Sequence, residues 1–416
     1  MRILLAAIYP YVFLLLYLVI PFDDYVRALP NILLLILGIA FPFVVEKSQL
    51  QKLKSPPVIL LFIMGLYLLL NAFFSGRIVD DLDVISKVLT VLGLAILYIP
   101  INDMQKIKNA IIFSALAAIF FSVYNFVVIA HETGGFALGD SPQVVDSLLI
   151  DRIYLGLLCV FSILISTTSI EKKYHPLNNY YLGNIAINVV FILLIASKIA
   201  LFALLGLLLL RQFYGSRKPW KFIVIGITGL MLVGLFYVLK NKEFINSKNV
   251  PAVVSGFVTN SRTYEIRATA WNCMDEIAKK TNPGLTGIGF ENTEKELLDC
   301  YATSIQNPES QAHFLEQEYN SHNQFLDFYL SAGIISVILF IVFMVGSLMI
   351  VYKDYFATAM LALLVYYSLV ENVFHRQMGA YYVGVIVIVL LLAATAKHEK
   401  TETNTDEFFK NDKKPN

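Results

Sequence analysis

Long apolar runs, each closed by a short polar connection, repeat along nearly the whole chain. Their lengths cluster around the roughly 20 residues that a helix needs to cross a bilayer core. About twelve are readable, near 3–21, 30–45, 57–75, 83–100, 109–130, 148–168, 180–196, 198–213, 221–240, 324–352, 355–370 and 378–396. The pattern predicts an all-α polytopic membrane protein with about twelve transmembrane helices. One polar stretch is too long to be a simple connection, so the expected organisation has four parts. Helices 1–9 fill residues 1–240, an external loop 241–323, helices 10–12 residues 324–397, and a polar tail 398–416. The first run is read as a retained span, because no small-residue cleavage site precedes Phe22-Asp23-Asp24.

Composition agrees with the pattern. The chain of 416 residues is 57% hydrophobic and 15% charged, with a mean hydropathy of +0.66, which no water-soluble domain requires. A net charge of +1 excludes the clustered basic excess that a nucleic-acid partner calls for. The tail mixes both signs of charge with few apolar residues, so it is expected to be disordered.

Basic residues set the orientation. Arg2, Lys47, Lys52, Lys54, Lys106, Lys108, Lys172, Lys173, Arg211, Arg217, Lys218, Lys221 and Lys353 all fall on one side if the connections alternate. The opposite short connections carry little beyond Arg27, Arg77, Lys198 and Arg376. By the positive-inside rule both termini are cytoplasmic, and the long loop faces outward.

Within that loop, Asn260-Ser261 is a helix start, and Tyr264, Ala268, Trp271, Met274 and Ile277 follow at helical spacing. An amphipathic helix over 262–280 is expected to lie at the membrane surface, followed by a tight turn over Gly284–Gly289 and a second helix over 294–302. Cys273 and Cys300 fall one on each helix; like Cys159 they match no zinc spacing. Either they form a disulfide in an oxidising compartment outside the membrane, or Cys273 packs as a small apolar residue and Cys300 stays a thiol.

Charges at the ends of spans are costly unless paired or hydrated. Lys87, Asp151, Arg152, Lys198, Glu371 and Arg376 all sit at the expected outer ends, with Arg262, Arg267 and His322 joining them from the loop. Snorkelling accounts for single cations at an interface, but not for two acids and a histidine at the same face. A cationic, partly buried pocket suited to phosphate or pyrophosphate fits the group better. Arg267 and Trp271, spaced i, i+4, would present a guanidinium beside an aromatic ring. His322 is the group with the pKa and position to act as a base. Asp23-Asp24 and Asp80-Asp81 could be metal carboxylates, but adjacent acids in an exposed loop are usually just solvated, and no metal ligand or cofactor is assigned.

Several of these residues stand in a recognisable order: Ser197-Lys198, Arg267-Ala-Thr-Ala-Trp271, Asn282-Pro283-Gly284, Gly287-Ile-Gly289, His322-Asn323-Gln-Phe-Leu326, Gly333, and Glu371 with Arg376-Gln377-Met-Gly379. The set resembles the O-antigen ligase and polymerase superfamily of bacterial envelope glycosyltransferases. Lys198 departs from the arginine usual in that family, keeping the charge and losing the fork. The resemblance implies a GT-C-like, metal-independent inverting transferase. It would move a glycan from undecaprenyl pyrophosphate to an acceptor sugar, lipid A–core in a ligase, with membrane lipid around it. It further implies His322 as catalytic base and Arg152, Lys198, Arg262, Arg267 and Arg376 as donor-binding cations. Asn323, Trp271, Glu371 and Gln377 would orient or contact substrate. A polymerase acting on a second lipid-linked repeat, or a protein O-oligosaccharyltransferase, differs only in acceptor. A lipid-linked-glycan flippase is the reading from another class, and would place ionisable residues near mid-membrane.

Overall fold

The computed structural model describes residues 2–23, 25–133, 142–171, 173, 175–214, 221, 224–231 and 262–411. At 133, 142, 143, 146, 262–265 and 397–411 it describes the backbone alone. The expected helix start at Asn260-Ser261, most of the ninth apolar run, and Asp24, Lys172, Arg217 and Lys218 lie outside the described residues.

Among the described residues the fold is all-helical, with no strands. The apolar runs become α1 (Arg2–Val19), α2 (Leu29–Val44), α3 (Pro56–Phe74), α4 (Ile78–Tyr98), α5 (Met104–Thr133), α7 (Arg152–Ser169), α8 (Pro176–Leu194) and α9 (Lys198–Tyr214), with a short α6 (Pro142–Ser147) before α7. The polar segment between α9 and the last three helices forms α10 (Arg262–Thr281), α11 (Phe290–Ser304) and α12 (Pro308–Gln317), called the external unit because its apolar core is separate from that of the bundle. Three more helices follow: α13 (Gln324–Val351), α14 (Tyr355–Val370) and α15 (Gln377–Asn411).

Seven of the described helices are long and apolar enough to cross a membrane, which makes this a membrane protein; twelve such helices are not counted among the described residues, which leave out most of the ninth run. The physical reasons are length and charge. α2 and α14 are 16 residues each, about 24 Å of helix against a core of about 30 Å. α4 opens with Asp80, Asp81 and Asp83, and its Lys87 pairs with Asp83. The boundary between α8 and α9 is a tight turn over Ile195–Ser197, with Ala196 in the left-handed region at φ 48°.

The apolar part of α15 is the centre of the bundle, and 83% of it is buried. Beyond Ala396 the helix continues to Asn411, where composition led to the expectation of a disordered tail from His398. Once nucleated by a packed segment, a helix extends at one hydrogen bond per residue without needing a core of its own.

The amphipathic helix expected over 262–280 is α10, but its apolar face meets protein. Ala270, Cys273, Met274 and Ile277 pack with Leu297, Cys300, Tyr301 and Phe314 of α11 and α12 and with Leu330 of α13. Cys273 and Cys300 are joined by a disulfide, with their Cα atoms 5.8 Å apart.

This external unit docks through backbone. α13 is broken at Gly333 (φ 79°, ψ 178°), and the turn over 284–289 lies in the break. Ile288 N–H donates to Leu330 O (2.8 Å), Gly289 N–H to Ser331 O (2.8 Å) and Ile334 N–H to Gly284 O (3.1 Å). A Cβ on Gly333 would stand 2.1 Å from Leu285 O, and one on Gly287 2.4 Å from Ser331 C, so two chains meet here with room for neither. From below, Tyr67 donates to Leu285 O and Ala332 O, and Asn71 donates to Thr286 O. Arg77 donates to Gly287 O, and Asp81 accepts the Phe290 N–H at 2.6 Å. Asp81, read from sequence as a solvated loop acid, is thus buried and caps the start of α11.

Candidate functional site

Two short polar segments meet at the end of the bundle beneath the external unit. One is Ser321–Asp327, which opens α13; the other is Glu371–Arg376, which joins α14 to α15. Asn323 is the N-cap of α13: its Oδ1 accepts from Phe325 N–H and Leu326 N–H, and its Nδ2 donates to Leu369 O. Asn372, fully buried, accepts at Oδ1 from Ser321 Oγ (2.9 Å) and Asn323 N–H (2.7 Å). The second segment lies close against its own helix, since a Cβ on Gly379 would sit 2.1 Å from Val373 O.

His322 is placed by this frame. Its backbone is left-handed (φ 46°), which is strained for a non-glycine residue, and its N–H donates to Asn320 Oδ1 at 3.0 Å. Its Nδ1 stands 3.0 Å from Glu371 Oε2, and Tyr319 lies beside the imidazole with ring centroids 5.7 Å apart. Glu371 is only 3% exposed, and Arg267 Nη2 is 3.9 Å from the same Oε2. Burial by itself would raise the Glu371 pKa, but the charges of His322, Arg267 and Arg376 outweigh it and hold the carboxyl below the usual range. Arg267 is itself buried, and its Nε donates to Val370 O at 3.1 Å. Its pKa is lowered by burial and supported by Glu371, Tyr366 and Asp151, while the cation Arg152 opposes them. The result is a chain of contacts, Arg267–Glu371–His322, in which a buried carboxylate is held between a guanidinium and an imidazole.

Residues 183–341 match the family model described as O-antigen ligase. This stretch is similar to O-antigen ligases. No curated protein matches the chain. The family is glycosyltransferase-like. The matched stretch holds Lys198, Arg262, Arg267, Trp271, His322 and Asn323, while Arg152, Glu371, Arg376 and Gln377 lie outside it.

Placed in the fold, the expected site residues separate into groups. His322, Arg267 and Glu371 form one cluster. Trp271 reaches it from α10 by donating its indole N–H to Ser321 O at 3.0 Å, and its ring is 38% exposed. It supports the turn that carries His322, where the resemblance implied a residue that orients or contacts substrate. Asn323 spends its side chain on the α13 cap and on Leu369, so it holds the frame. Arg376 pairs with Asp151 at 3.2 Å, and Asp151 caps α7 directly before Arg152. Lys198 opens α9 beside Ile199, whose carbonyl accepts from Tyr366. Ser197, just before it, is buried against Gly156. Gln377 is turned elsewhere, donating to Asn31 Oδ1 (2.8 Å) and Tyr381 OH (3.2 Å), where it ties α15 to α2. The side chain of Arg262 lies outside the described residues.

Sequence reasoning missed Asn372 and the group around His375. His375 Nε2 is 2.9 Å from Asp327 Oδ2, and its Nδ1 is 3.2 Å from Glu294 Oε1. Gln324 Nε2 donates to Asp327 Oδ2, and Phe374 N–H donates to Gln324 Oε1. The available signal was the polar density of Glu371-Asn372 and His375-Arg376 between two apolar runs.

Proposed function

We propose that the protein transfers a glycan from undecaprenyl pyrophosphate to an acceptor sugar hydroxyl on the periplasmic face of the inner membrane, as an O-antigen ligase does. The observation that carries this reading is the Arg267–Glu371–His322 chain at the end of the bundle where the stretch similar to O-antigen ligases meets the α14–α15 connection. The Cys273–Cys300 disulfide supports a periplasmic external unit, because that compartment is oxidising.

An ionised Glu371 accepts Nδ1–H of His322 and leaves the imidazole lone pair on Nε2. The acceptor hydroxyl gives its proton to that Nε2 as its oxygen attacks the anomeric carbon. The bond from that carbon to the pyrophosphate oxygen breaks on the opposite face. The products are an inverted glycoside and undecaprenyl pyrophosphate. Arg267 keeps Glu371 ionised and in place. Arg376, 56% exposed and anchored to Asp151, is better turned than Arg267 to meet the leaving pyrophosphate, with Arg152, Lys198 and Arg262 carried over from the resemblance as further donor-binding cations. Fixed guanidinium groups would do the work that a metal does elsewhere, and the step needs no cofactor.

The test is reconstitution in proteoliposomes with undecaprenyl-pyrophosphate-linked glycan, offering lipid A–core or a second lipid-linked repeat as acceptor. Release of undecaprenyl pyrophosphate is scored. His322→Ala is expected to lower turnover by about 10²–10⁴-fold with insertion intact. Arg376→Ala is expected to raise the donor KM. Full activity of His322→Ala would remove it from the mechanism, and product with one acceptor alone would separate ligase from polymerase.

A further inference from the structure

The polar segments Ser321–Asp327 and Glu371–Arg376 are bonded to each other in sequence order. His322 meets Glu371, Asn323 N–H meets Asn372, Gln324 Oε1 accepts from Phe374 N–H, and Asp327 meets His375. These four successive rungs form a ladder between the start of α13 and the α14–α15 connection. The His322–Glu371 pair is the first rung, and His375 is the last.

The last rung is clamped from both sides. A neutral imidazole has one N–H, so it can donate to only one of two carboxylates. His375 has Asp327 at Nε2 and Glu294 at Nδ1, and only the protonated ring donates to both. Asp327 is buried with a second donor, Gln324 Nε2, while Glu294 is half-exposed and comes from α11 of the external unit. The His375 ring also packs edge-on to Phe290 at the start of α11 (6.2 Å between centroids). Three elements, α11, α13 and the connection carrying Glu371, therefore converge on one cation.

We propose that His375 is a positioning residue for the His322–Glu371 pair: held between Asp327 and Glu294, it fixes the register of the ladder that sets the carboxylate against the imidazole. The inference rests on the reading of His322 as base and Glu371 as its partner. Glu371 and His375 stand on one short stretch of backbone, joined through Asn372, Val373 and Phe374. With the His375 end released, the ladder loses its last rung, and the Phe374 N–H bond to Gln324 is left to hold that end of the connection against α13. A shift there passes along the connection to Glu371. Misplacement of a catalytic group by about 1 Å can cost about 10²-fold in rate.

The experiment compares wild type with the double variant Asp327→Asn/His375→Phe in proteoliposomes supplied with undecaprenyl-pyrophosphate-linked glycan. The amide introduced at the first position keeps an acceptor for Gln324, and the phenyl ring introduced at the second keeps the contact with Phe290. No buried carboxylate is left alone. The expected result is an inserted, disulfide-bonded protein with kcat lowered at least about tenfold and an unchanged donor KM. Wild-type kcat in a folded double variant would overturn the proposal, because a purely structural clamp is replaced in it by packing. Should the double variant fail to insert, Glu294→Gln at the exposed end serves instead: lowered kcat at constant KM supports the proposal and unchanged kcat overturns it. His322→Ala and Glu371→Gln are run beside them. Full turnover in those two means that the mechanism itself is wrong, which is distinct from a failure of the His375 proposal alone.

Discussion

Alkaline pH should destabilise this protein through His375, at a slope set by one proton. Burial by itself would strip that proton from the ring, yet Asp327 and Glu294 outweigh it and raise the His375 pKa from 6.5 to about 10. In the unfolded chain the ordinary value near 6.5 applies. A group whose pKa is raised on folding contributes stability that is complete below the unfolded value and is lost as pH rises through the folded one. The window is therefore pH 6.5 to about 10. Inside it one extra proton is bound by the folded state, which corresponds to about 1.4 kcal/mol per pH unit. Between pH 7 and 9 this one residue should remove roughly 2–3 kcal/mol. The assay is thermal unfolding of the detergent-purified protein, followed by size-exclusion of the surviving fraction, at pH 7 and at pH 9. Wild type should lose several degrees more than Asp327→Asn/His375→Phe over the same interval, since other titrating groups are common to both. Equal losses in the two proteins would refute the assignment of a protonated, doubly paired His375.

Gly333→Ala should fail to assemble or lose roughly 3 kcal/mol or more, because the added Cβ meets Leu285 O at 2.1 Å in a backbone conformation that disfavours side chains; detergent-solubilised yield and melting temperature measure this, and a normal melt would mean the turn and α13 do not interlock. Cys273→Ser/Cys300→Ser should lower the melting temperature through loss of about 3–4 kcal/mol of loop-closure stabilisation across the 27-residue separation, and thiol labelling of denatured wild type should reach Cys159 alone without reductant and all three cysteines with it. Glu371→Gln should lower kcat by about 10²–10⁴-fold, leaving Arg267 buried beside a neutral amide; adding Arg267→Met should restore stability and leave kcat low, so recovery of kcat would assign the carboxylate a structural role only. Chelator treatment of proteoliposomes should leave transfer unchanged, and a loss that divalent metal restores would overturn the metal-independent step.

The helices were legible because each is a local consequence of composition. A run such as Gln324–Val351 has enough apolar residues to predict a helix without knowing its neighbours, and α10 announced itself by spacing alone. The break at Gly333 was not legible as a break. It exists because a turn from elsewhere in the chain, Gly284–Gly289, supplies hydrogen bonds to the unwound backbone. For the same reason the apolar face of α10 pointed in sequence to a membrane surface, whereas Leu297, Tyr301 and Phe314 cover it.

The candidate site divides along the same line. Sequence alone identified His322, Arg267 and Glu371, because a charge or a histidine beside an apolar run needs a physical reason. It also brought Cys273 and Cys300 onto two helices of one loop, but left open whether they bond. Only the tertiary structure decided which polar groups face one another, since the partners are about fifty residues apart in the case of His322 and Glu371, and about a hundred for Arg267 and Glu371. Hydropathy reports the transfer of each residue from water and carries no information on its partner. Hydrogen bonds and ion pairs are directional and short-ranged, so whether Gln377 serves the site or ties α15 to α2 is fixed by packing. The same holds for His375: the polar density around it between two apolar runs marks the segment, but its partners are known only once Asp327 and Glu294 close on it.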